Sequence, residues 1–452
     1  MILCNQTMRT LSLFLLQISA LFVFSISIPA QQPEEIQVVP YPGDKEPDYW
    51  LLAGQSNMAG YAFIEEDVEP DNRILFFSYD RDTQQNEWAI MKNPVEPMFY
   101  PHGKPHGWMP DYTRIPVGGV GMHLFFFKHI LQYVDKPMAV IGVATGRSME
   151  KVWNPDLTAQ GNSFIYGDMI KRIKQAGAYG KLKGMVWYQG ESDAVEFPSD
   201  SLLYQNNLIK FVTSIRKDTG CPDLPFIHVQ ISRLVTNVKP GLPGKSSGGE
   251  EYPDIHKTYT ESWDRVREAQ RQLADKLPGV YMVSAVDLYP LVDPIHLGFA
   301  AYKRLGPRLA EVALSQVYKL PGHGTPIKLE SVKIVPTIEP KTGQTVPNIA
   351  TIKVRFSGVT GKLHSPGQPS GFTMVFPEMT DEIAKGTFPV IFATEFDPKD
   401  PSAVLLHSTG PIAKVLAPAH LYYGQGLNPY CNIGDEKDIP IPAFGPIEIP
   451  LE

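Results

Sequence analysis

The sequence predicts an α/β protein in which a doubly wound domain with a five-stranded parallel sheet is followed by a small C-terminal β-sandwich. Short apolar runs alternate with amphipathic stretches from residue 49 to residue 318, a pattern typical of parallel strands joined by helices. After residues 321–326 helical periodicity almost disappears, and segments of alternating polarity are separated by Gly, Pro and Asp, as in a β-sandwich. The 42 prolines among 452 residues favour long irregular loops over long helices.

The elements of the first domain follow from the lengths of these runs. Strands buried on both faces form short continuous apolar runs, whereas helices repeat their apolar residues every three to four positions. The five predicted strands cover residues 49–53, 138–143, 185–188, 226–231 and 280–285. The predicted helices cover residues 122–134, 164–176, 202–216, 263–277 and 300–318. Residues 67–116 and 234–259 interrupt the alternation, and we interpret both as long loops that shape a site at the carboxyl ends of the strands.

The N-terminal segment differs from the rest of the chain. Arg9 precedes an uninterrupted apolar stretch over residues 11–28, which a Pro-Ala pair closes. This pattern predicts a secretory signal peptide over residues 1–30 and a secreted or periplasmic location, with an uncleaved signal anchor as the alternative. No later segment is long and apolar enough to span a membrane, so we expect no integral membrane contact after cleavage. The predicted domains are then the α/β domain at residues 31–320 and the β-sandwich at residues 321–452.

Charge and cysteine content narrow the possible partners. The net charge is −7 and no long run of one sign occurs, so the chain lacks the basic surface that binds nucleic acid or anionic membranes, and we expect neither as a partner. Cys221 and Cys431 remain after cleavage and lie in different predicted domains, which favours free buried thiols over a disulfide. Because the carboxylates and histidines show no zinc or calcium ligand spacing, we expect no metal or cofactor.

A serine follows the first predicted strand directly. Ser56 stands in the segment GQSNM at residues 54–58. A strand-to-helix turn at this point would place its hydroxyl at the carboxyl edge of the sheet, with backbone N–H groups of the helix start directed at the same spot. Such a serine suits acyl transfer as a nucleophile. On the serine alone, a helix N-cap is the more common role, and it stays open as the alternative.

A second serine matches a hydrolase motif without its context. The segment GKSSG at residues 244–248 fits Gly-x-Ser-x-Gly, with Ser246 at its centre. No predicted strand precedes it and no helical pattern follows, as a nucleophile elbow would require. It is not a phosphate-binding loop either, because Lys239 stands where that motif needs glycine. We interpret the segment as a flexible loop.

An acidic residue and a histidine follow the last predicted strand. Asp293 and His296 lie three residues apart in one short turn. At that spacing the carboxylate can hold one imidazole nitrogen, which leaves the other free to take a proton from Ser56. The alternative is an Asp N-cap with an incidental histidine. His102 and His106, in the first long loop, are candidates for substrate contact.

Two further strand ends carry polar or flexible residues. Gln189 ends the third strand in QGESD at residues 189–193, and its amide can donate to a developing oxyanion. Glu191 and Asp193 either orient other groups or cap the next helix. Gly146 follows the second strand and lets a backbone N–H face the site, unless it forms an ordinary turn. Four strand ends thus supply a nucleophile, two kinds of oxyanion donor and an Asp/His pair, which together indicate a serine hydrolase.

These residues resemble the sialate O-acetylesterases, in a group like carbohydrate esterase family six of the SGNH hydrolase superfamily. GQSNM at residues 54–58 resembles the nucleophile block of that family, and QGESD at residues 189–193 resembles a second specific block. Asp293 with His296 is similar to its closing block, and GVGM at residues 119–122 is similar to a further segment. The resemblance covers residues 49–318 and implies an SGNH-type, flavodoxin-like three-layer α/β/α fold.

The resemblance implies roles for the matching residues. Ser56 is the expected nucleophile, His296 the base and Asp293 the residue that orients it. The expected oxyanion hole combines the N–H groups of Ser56 and Gly146 with the Gln189 amide. Substrate binding or support is expected of four neighbouring residues, which are Gln55, Asn57, Arg147 and Glu191. Arg147 departs from the family pattern, which usually has a second glycine there; this leaves the choice of backbone donor open, with substrate contact as the alternative role of Arg147.

The implied activity is hydrolysis of O-acetyl esters on sugars or polysaccharides through an acetyl-enzyme. The substrate would be an acetylated carbohydrate, and a secreted enzyme fits a polymeric or extracellular one. An acetylxylan or other plant or algal polysaccharide esterase is an alternative with the same chemistry. A non-catalytic glycan-binding protein of the same fold is a third reading, against which the intact set of Ser56, Asp293, His296 and Gln189 argues.

Overall fold

The computed structural model describes residues 36–80, 85–93, 95, 119–159, 165–339, 341–376, 391–409 and 419–449. Gln37–Glu452 form one compact unit. The predicted signal peptide, His102 and His106 lie outside the described residues. No helix in the described ranges is long and apolar enough to cross a membrane.

The structure combines helices with one large and several smaller sheets. The strands are β1 Asp48–Gly54, β2 Ile74–Asp80, β3 Gln85–Ile90, β4 Met138–Ala144, β5 Leu182–Tyr188, β6 Phe226–Gln230, β7 Gly244–Lys245, β8 Glu251–Tyr252, β9 Val280–Ser284, β10 Lys328–Ile338, β11 Thr345–Ser357, β12 Phe372–Val375, β13 Ile391–Phe396, β14 Ala403–Thr409, β15 His420–Tyr423 and β16 Phe444–Glu448. The α-helices are α1 Ser56–Ala59, α2 His123–Ile130, α3 Pro155–Ala159, α4 Ile165–Gln175, α5 Glu191–Val195, α6 Tyr204–Asp218, α7 Ile255–Lys276 and α8 Phe299–Gln316. A π-helical turn covers Met149–Trp153 and a 3-10 turn covers Asp200–Leu202.

The central sheet has seven strands in the order β3-β2-β4-β1-β5-β6-β9. The strands from β2 to β9 in this order are parallel, and the edge strand β3 is antiparallel to β2. All five predicted strands are present, as β1, β4, β5, β6 and β9, and β1 lies at the centre. The α/β class and its mostly parallel sheet are therefore confirmed.

The predicted number of strands was wrong. The hairpin of β2 and β3 lies inside residues 67–116, which we had interpreted as a loop. β3 has the sequence QNEWAI and is exposed or half-buried along its whole length, so it lacks the continuous apolar run that marks a strand buried on both faces. The part of that predicted loop from residue 96 to residue 116 lies outside the described residues.

The second predicted loop is also shorter than expected. β7 and β8 form a small hairpin within it. α7 begins at Ile255 rather than at residue 263, because the Asp254 side chain caps it by accepting the Lys257 N–H at 3.0 Å. The other predicted helices match α2, α4, α6 and α8 to within a few residues.

Helices pack on both faces of the central sheet. The Trp50 ring on β1 meets Phe126 of α2 edge-on, with ring centroids 5.3 Å apart. On β5, Trp187 contacts Phe211 of α6 at 4.5 Å. Trp187 is in register with Ala53, three residues from Trp50, so the two tryptophans point to opposite faces. Both are fully buried, and α2 and α6 therefore lie on opposite sides of the sheet.

The C-terminal strands form two antiparallel sheets, as the alternating segments predicted. One has the order β10-β11-β14-β13 and the other β12-β15-β16. Phe356 of β11 contacts Phe444 of β16, with ring centroids 6.4 Å apart. The second sheet also binds α7, since the buried Arg267 guanidinium donates to the carbonyls of Gly424 and Gly426 at 2.8 and 2.7 Å. Cys221 and Cys431, the two cysteines in the described ranges, are buried and form no disulfide.

Candidate active site

Ser56 lies at the tight turn between β1 and α1. Gly54 has a φ of 151°, and an added Cβ would come within 2.0 Å of the Tyr188 carbonyl oxygen, so the turn requires glycine there. Gln55 is the N-cap residue of α1 and Ser56 the first residue inside it. The N-cap alternative for Ser56 is therefore not what the fold uses. The Ser56 side chain is half-buried, and its hydroxyl makes no hydrogen bond to any described residue.

Asn57 holds the loop that carries His296 against this turn. Its Nδ2 donates to the Ile295 carbonyl oxygen at 3.2 Å, and its Oδ1 accepts the Leu297 N–H at 3.1 Å. The same side chain donates to Glu191 Oε1 at 2.7 Å and accepts the Tyr302 hydroxyl at 2.9 Å. Because Ile295 and Leu297 flank His296, the residue after Ser56 fixes the histidine backbone from both sides.

Asp293 binds both the side chain and the backbone of the histidine loop. Its Oδ2 lies 2.5 Å from His296 Nδ1, and its Oδ1 accepts the N–H groups of Ile295 and His296 at 2.8 and 2.9 Å. The carboxylate therefore closes the turn and holds the imidazole. The N-cap alternative for Asp293 was wrong, because Gly298 is the N-cap residue of α8. Partial burial would raise the pKa of Asp293, but the His296 contact and the two N–H donors outweigh it and lower that pKa to about 2. Among the described residues, His296 Nε2 has no hydrogen-bond partner.

Tyr61 stacks on His296 and was missed in the sequence. Their ring centroids lie 4.2 Å apart and the planes are inclined by 7°. The segment around Tyr61 is held by a bridge between Ala62 and Val120, with hydrogen bonds of 3.2 and 2.8 Å. Val120 belongs to the GVGM segment that the family resemblance had singled out. The local pattern gives no signal for this stack, because it depends on where two distant loops meet.

Gln55 and Gln189 connect the Ser56 turn to the end of β5. Gln55 Oε1 accepts the N–H groups of Gly190 and Ser192, both at 3.3 Å, and so caps α5. Gln189 is fully buried. Its Nε2 donates to Asp193 Oδ2 at 2.5 Å and to the Arg147 carbonyl oxygen at 3.3 Å. Both N–H groups of the Gln189 amide, which the sequence offered as oxyanion donors, therefore already have acceptors. The hydrogen bond to the Arg147 carbonyl is the longer of the two.

Gly146 and Arg147 follow β4 and lie beside the Ser56 turn. The Thr145 N–H donates to the Gly54 carbonyl oxygen at 2.8 Å, which ties the ends of β4 and β1 together. The space where Gly146 would carry a Cβ is open to at least 4 Å, and among the described residues its N–H has no acceptor. The Arg147 guanidinium forms an ion pair with Glu196.

Glu191 is a buried carboxyl behind this cluster. It is 1% exposed. Burial raises its pKa, although the Asn57 hydrogen bond and the attraction of His296 oppose this. Its Oε2 and the nearby Tyr188 hydroxyl are buried without a hydrogen-bond partner among the described residues. Asp193 is buried as well and accepts the Met149 N–H at 3.1 Å, so it orients a neighbouring turn.

Ser246, the alternative serine, lies in a different environment. It is 5% exposed, its hydroxyl donates to the Glu196 carbonyl oxygen at 2.9 Å, and it accepts the Glu250 N–H at 3.1 Å. The segment predicted as a flexible loop is thus a hydrogen-bonded hairpin, and its serine serves the turn. Ser56, in contrast, combines an unbonded hydroxyl with an Asp/His pair and open N–H groups, which are the parts that acyl transfer needs.

Comparison with known proteins identifies the family of the chain. Residues 46–315 match the family model for carbohydrate esterases described as sialic acid-specific acetylesterases. The chain belongs to this family. It is thus a carbohydrate esterase, an enzyme that hydrolyses esters of acetylated sugars.

Two known proteins are similar to this esterase over most of its length, one in sequence and one in fold. The probable carbohydrate esterase At4g34215 of Arabidopsis thaliana is 29% identical over 306 residues, which are 64% of this chain and 96% of that protein. The crystal structure of XAC1771, a carbohydrate acetylesterase from Xanthomonas citri, has 18% identity and a TM-score of 0.59, and the match covers 88% of this chain and 80% of that one. At this identity the second likeness concerns the fold.

Proposed function

We propose that this esterase releases acetate from O-acetylated sugars through an acetyl-enzyme on Ser56. The observation that supports this most directly is the Asn57 contact with both neighbours of His296. It brings the Asp293–His296 pair to the turn that carries Ser56, whose hydroxyl makes no hydrogen bond among the described residues. A non-catalytic glycan-binding protein would have no need of this arrangement.

The proposed reaction uses His296 twice. His296 Nε2 takes the Ser56 hydroxyl proton while Oγ attacks the acetyl carbonyl carbon, and it then gives that proton to the departing sugar oxygen. A water molecule repeats the sequence: His296 takes its proton, the hydroxide oxygen attacks the acetyl-enzyme, and the proton returns to Ser56 Oγ as acetate leaves. Asp293 keeps the imidazole oriented and stabilises its charged form.

The oxyanion that forms in both steps needs preorganised donors. The N–H groups of Ser56 and Gly146 suit this role, because they adjoin the same turn and the space beside Gly146 is open. We propose Gln189 as the third donor, with the substrate oxygen replacing its 3.3 Å contact to the Arg147 carbonyl. The shorter contact with Asp193 would remain and hold the amide in place. Gln55 and Glu191 would support the site from behind, and Arg147, paired with Glu196, would border it.

We also propose the finer organisation of the chain. The α/β part at residues 31–320 would be an SGNH-type, flavodoxin-like three-layer domain, which helices on both sheet faces support. Residues 321–452 would form a β-sandwich, which the contact of Phe356 with Phe444 supports. Residues 1–30 would be a cleaved signal peptide of a secreted or periplasmic enzyme. N-terminal sequencing of the exported protein tests the cleavage, and a first residue near Met1 would contradict it.

The nucleophile is tested by Ser56→Ala with Ser246→Ala as its matched control. We expect Ser56→Ala to abolish acetate release from p-nitrophenyl acetate while its melting temperature stays near that of the wild type. Ser246→Ala should retain turnover. Wild-type turnover in Ser56→Ala would overturn the proposal. Acetate release from acetylated sialic acid, acetylxylan and acetylated algal or pectic glycans then identifies the sugar.

A further inference from the structure

A cleft of about 570 Å³ opens between α7 and the three-stranded C-terminal sheet. One wall is a single face of α7, from which Asp264, Arg265 and Glu268 project at helical spacing. Tyr422 of β15 and Gln425 in the turn after it form the opposite wall. None of the residues that line the cleft takes part in the Ser56 site, so the known chemistry does not account for it.

Hydrogen bonds between α7 and the sheet hold the cleft open. Asp264 Oδ1 accepts the Gly426 N–H at 2.8 Å, and Glu268 Oε2 accepts the Gly445 N–H at 3.3 Å. The Asp264 side chain is only 17% exposed. Because carboxylates of one wall bind backbone groups of the other, the cleft is formed before any ligand enters, which reduces the entropic cost of binding.

The cleft also presents groups that the fold leaves available. In the described part of the chain, neither the Tyr422 hydroxyl nor the Gln425 amide has a hydrogen-bond partner. Leu202, at the margin, is 68% exposed. Arg265 uses one N–H for the Ser201 hydroxyl at 2.6 Å and has further donors. Aromatic and apolar surface thus alternates with planar hydrogen-bonding groups, which suits a sugar ring with apolar C–H faces and a rim of hydroxyls.

The charge of the cleft is locally balanced. Each acidic side chain of the lining has a basic partner outside it: Glu261 with Lys257 and Asp264 with Arg267, both at 3.8 Å, and Glu268 with Arg271 at 2.6 Å. An uncharged sugar can therefore use these groups as hydrogen-bond partners without a charge of its own.

We propose that this α7–β15 cleft is a second saccharide site that binds a neutral oligosaccharide segment of the glycan substrate. The proposal rests on the proposed function in that the ligand belongs to the class of molecule the esterase deacetylates. A polymeric substrate would then bind both at the cleft and at Ser56, whereas a small ester would bind only at Ser56.

Binding is measured without turnover in the full chain carrying Ser56→Ala. Isothermal titration with xylohexaose, mannohexaose and cellohexaose should detect binding of at least one of these neutral oligosaccharides. Adding Tyr422→Ala or Gln425→Ala should weaken the neutral ligand about tenfold, the loss expected for one aromatic or hydrogen-bonding contact. Tyr430→Ala, which removes an exposed tyrosine outside the cleft, should leave the affinity unchanged.

Two results of the binding measurements would overturn the site: no neutral oligosaccharide binds at millimolar concentration, or the Tyr422 and Gln425 variants bind as well as their parent. With Ser56 intact, Tyr422→Ala should raise KM for an acetylated polymer and leave turnover of p-nitrophenyl acetate unchanged. An equal loss on both substrates also contradicts the proposal. The two proposals can fail separately. Absence of oligosaccharide binding would contradict the second saccharide site but not the acetyl-enzyme on Ser56. Esterase activity in Ser56→Ala would contradict the acetyl-enzyme but not the binding result.

Discussion

Asn57 Nδ2 donates a 2.7 Å hydrogen bond to Glu191 Oε1, which joins the residue after the serine to the first residue of α5. The other polar contacts of Asn57 reach the His296 loop and Tyr302, so this side chain uses all of its hydrogen-bonding capacity in a buried position. A saturated buried amide specifies one geometry, because any shift leaves a polar group unpaired.

Replacing Asn57 should therefore displace the histidine without removing any reacting group. We expect Asn57→Ala to lower kcat on p-nitrophenyl acetate by about a hundredfold, the effect of a misplacement near 1 Å, with KM almost unchanged. Steady-state kinetics of the purified variant measure both parameters. Asn432→Ala, which removes an asparagine in the C-terminal part that bonds Ser370 and Gln368, serves as the control. Wild-type kcat in Asn57→Ala would refute the positioning role.

Glu191→Gln should separate stability from catalysis. Folding raises the pKa of the Glu191 carboxyl above its ordinary value of 4.5. Such a group destabilises the folded state as the pH rises from 4.5 towards the raised pKa, because it ionises more readily in the unfolded chain. The glutamine removes this cost and keeps an oxygen for Asn57, so the variant should melt higher than wild type at pH 7 and show no advantage below pH 4. The kcat should fall about tenfold, because the attraction for a charged His296 is lost. Melting temperatures at a series of pH values and steady-state kinetics test these two effects. A lower melting temperature for Glu191→Gln than for wild type at pH 7 would contradict the predicted gain in stability.

Much of the site could be predicted because parallel strands place their carboxyl ends at one edge. Ser56, Gly146, Gln189 and His296 each follow a predicted strand, and the three-residue spacing from Asp293 to His296 is enough to bring their side chains into contact. Such information is local, since each position depends on one strand and the turn after it.

The parts that were missed depend on how distant segments meet. The role of Asn57 requires the register between the Ser56 turn and a loop more than two hundred residues away. Gln189 follows β5 as predicted, but the Arg147 carbonyl that accepts its longer hydrogen bond comes from the turn after β4, a separate segment of the chain. The edge strand β3 has no continuous apolar run, so its pairing follows from β2 rather than from its own sequence.

The stack of Tyr61 on His296 leads to a further prediction. The aromatic ring limits rotation of the imidazole. Tyr61→Phe keeps the ring and should retain near wild-type kcat, whereas Tyr61→Leu should lower kcat about tenfold with little change in KM. Tyr430→Leu, at an exposed tyrosine remote from this stack in the sequence, should leave both parameters unchanged. Equal kcat values for the phenylalanine and leucine variants would show that the stack does not position the histidine.

Glu311 of α8 should make the fold sensitive to acid. Its carboxylate accepts His129 Nε2 at 2.8 Å, His323 Nδ1 at 3.2 Å and the Gly324 N–H at 2.8 Å, with Lys437 Nζ at 3.5 Å. Burial alone would raise the pKa of Glu311, but these donors outweigh it and lower the pKa from 4.5 to about 2. A depressed pKa stabilises the fold above the unfolded value, and this contribution disappears as pH falls from 4.5 to 2.

Glu311→Gln should thus lower the free energy of unfolding by about 2 kcal/mol at pH 7, and the difference from wild type should shrink steadily below pH 4.5. Urea unfolding at a series of pH values measures it. The matched control is Glu66→Gln, which removes an exposed carboxylate paired with Lys303 and should change stability little, as exposed ion pairs contribute at most about 1 kcal/mol. If the Glu311→Gln difference stayed constant from pH 7 to pH 3, loss of packing rather than loss of the charged cluster would explain it.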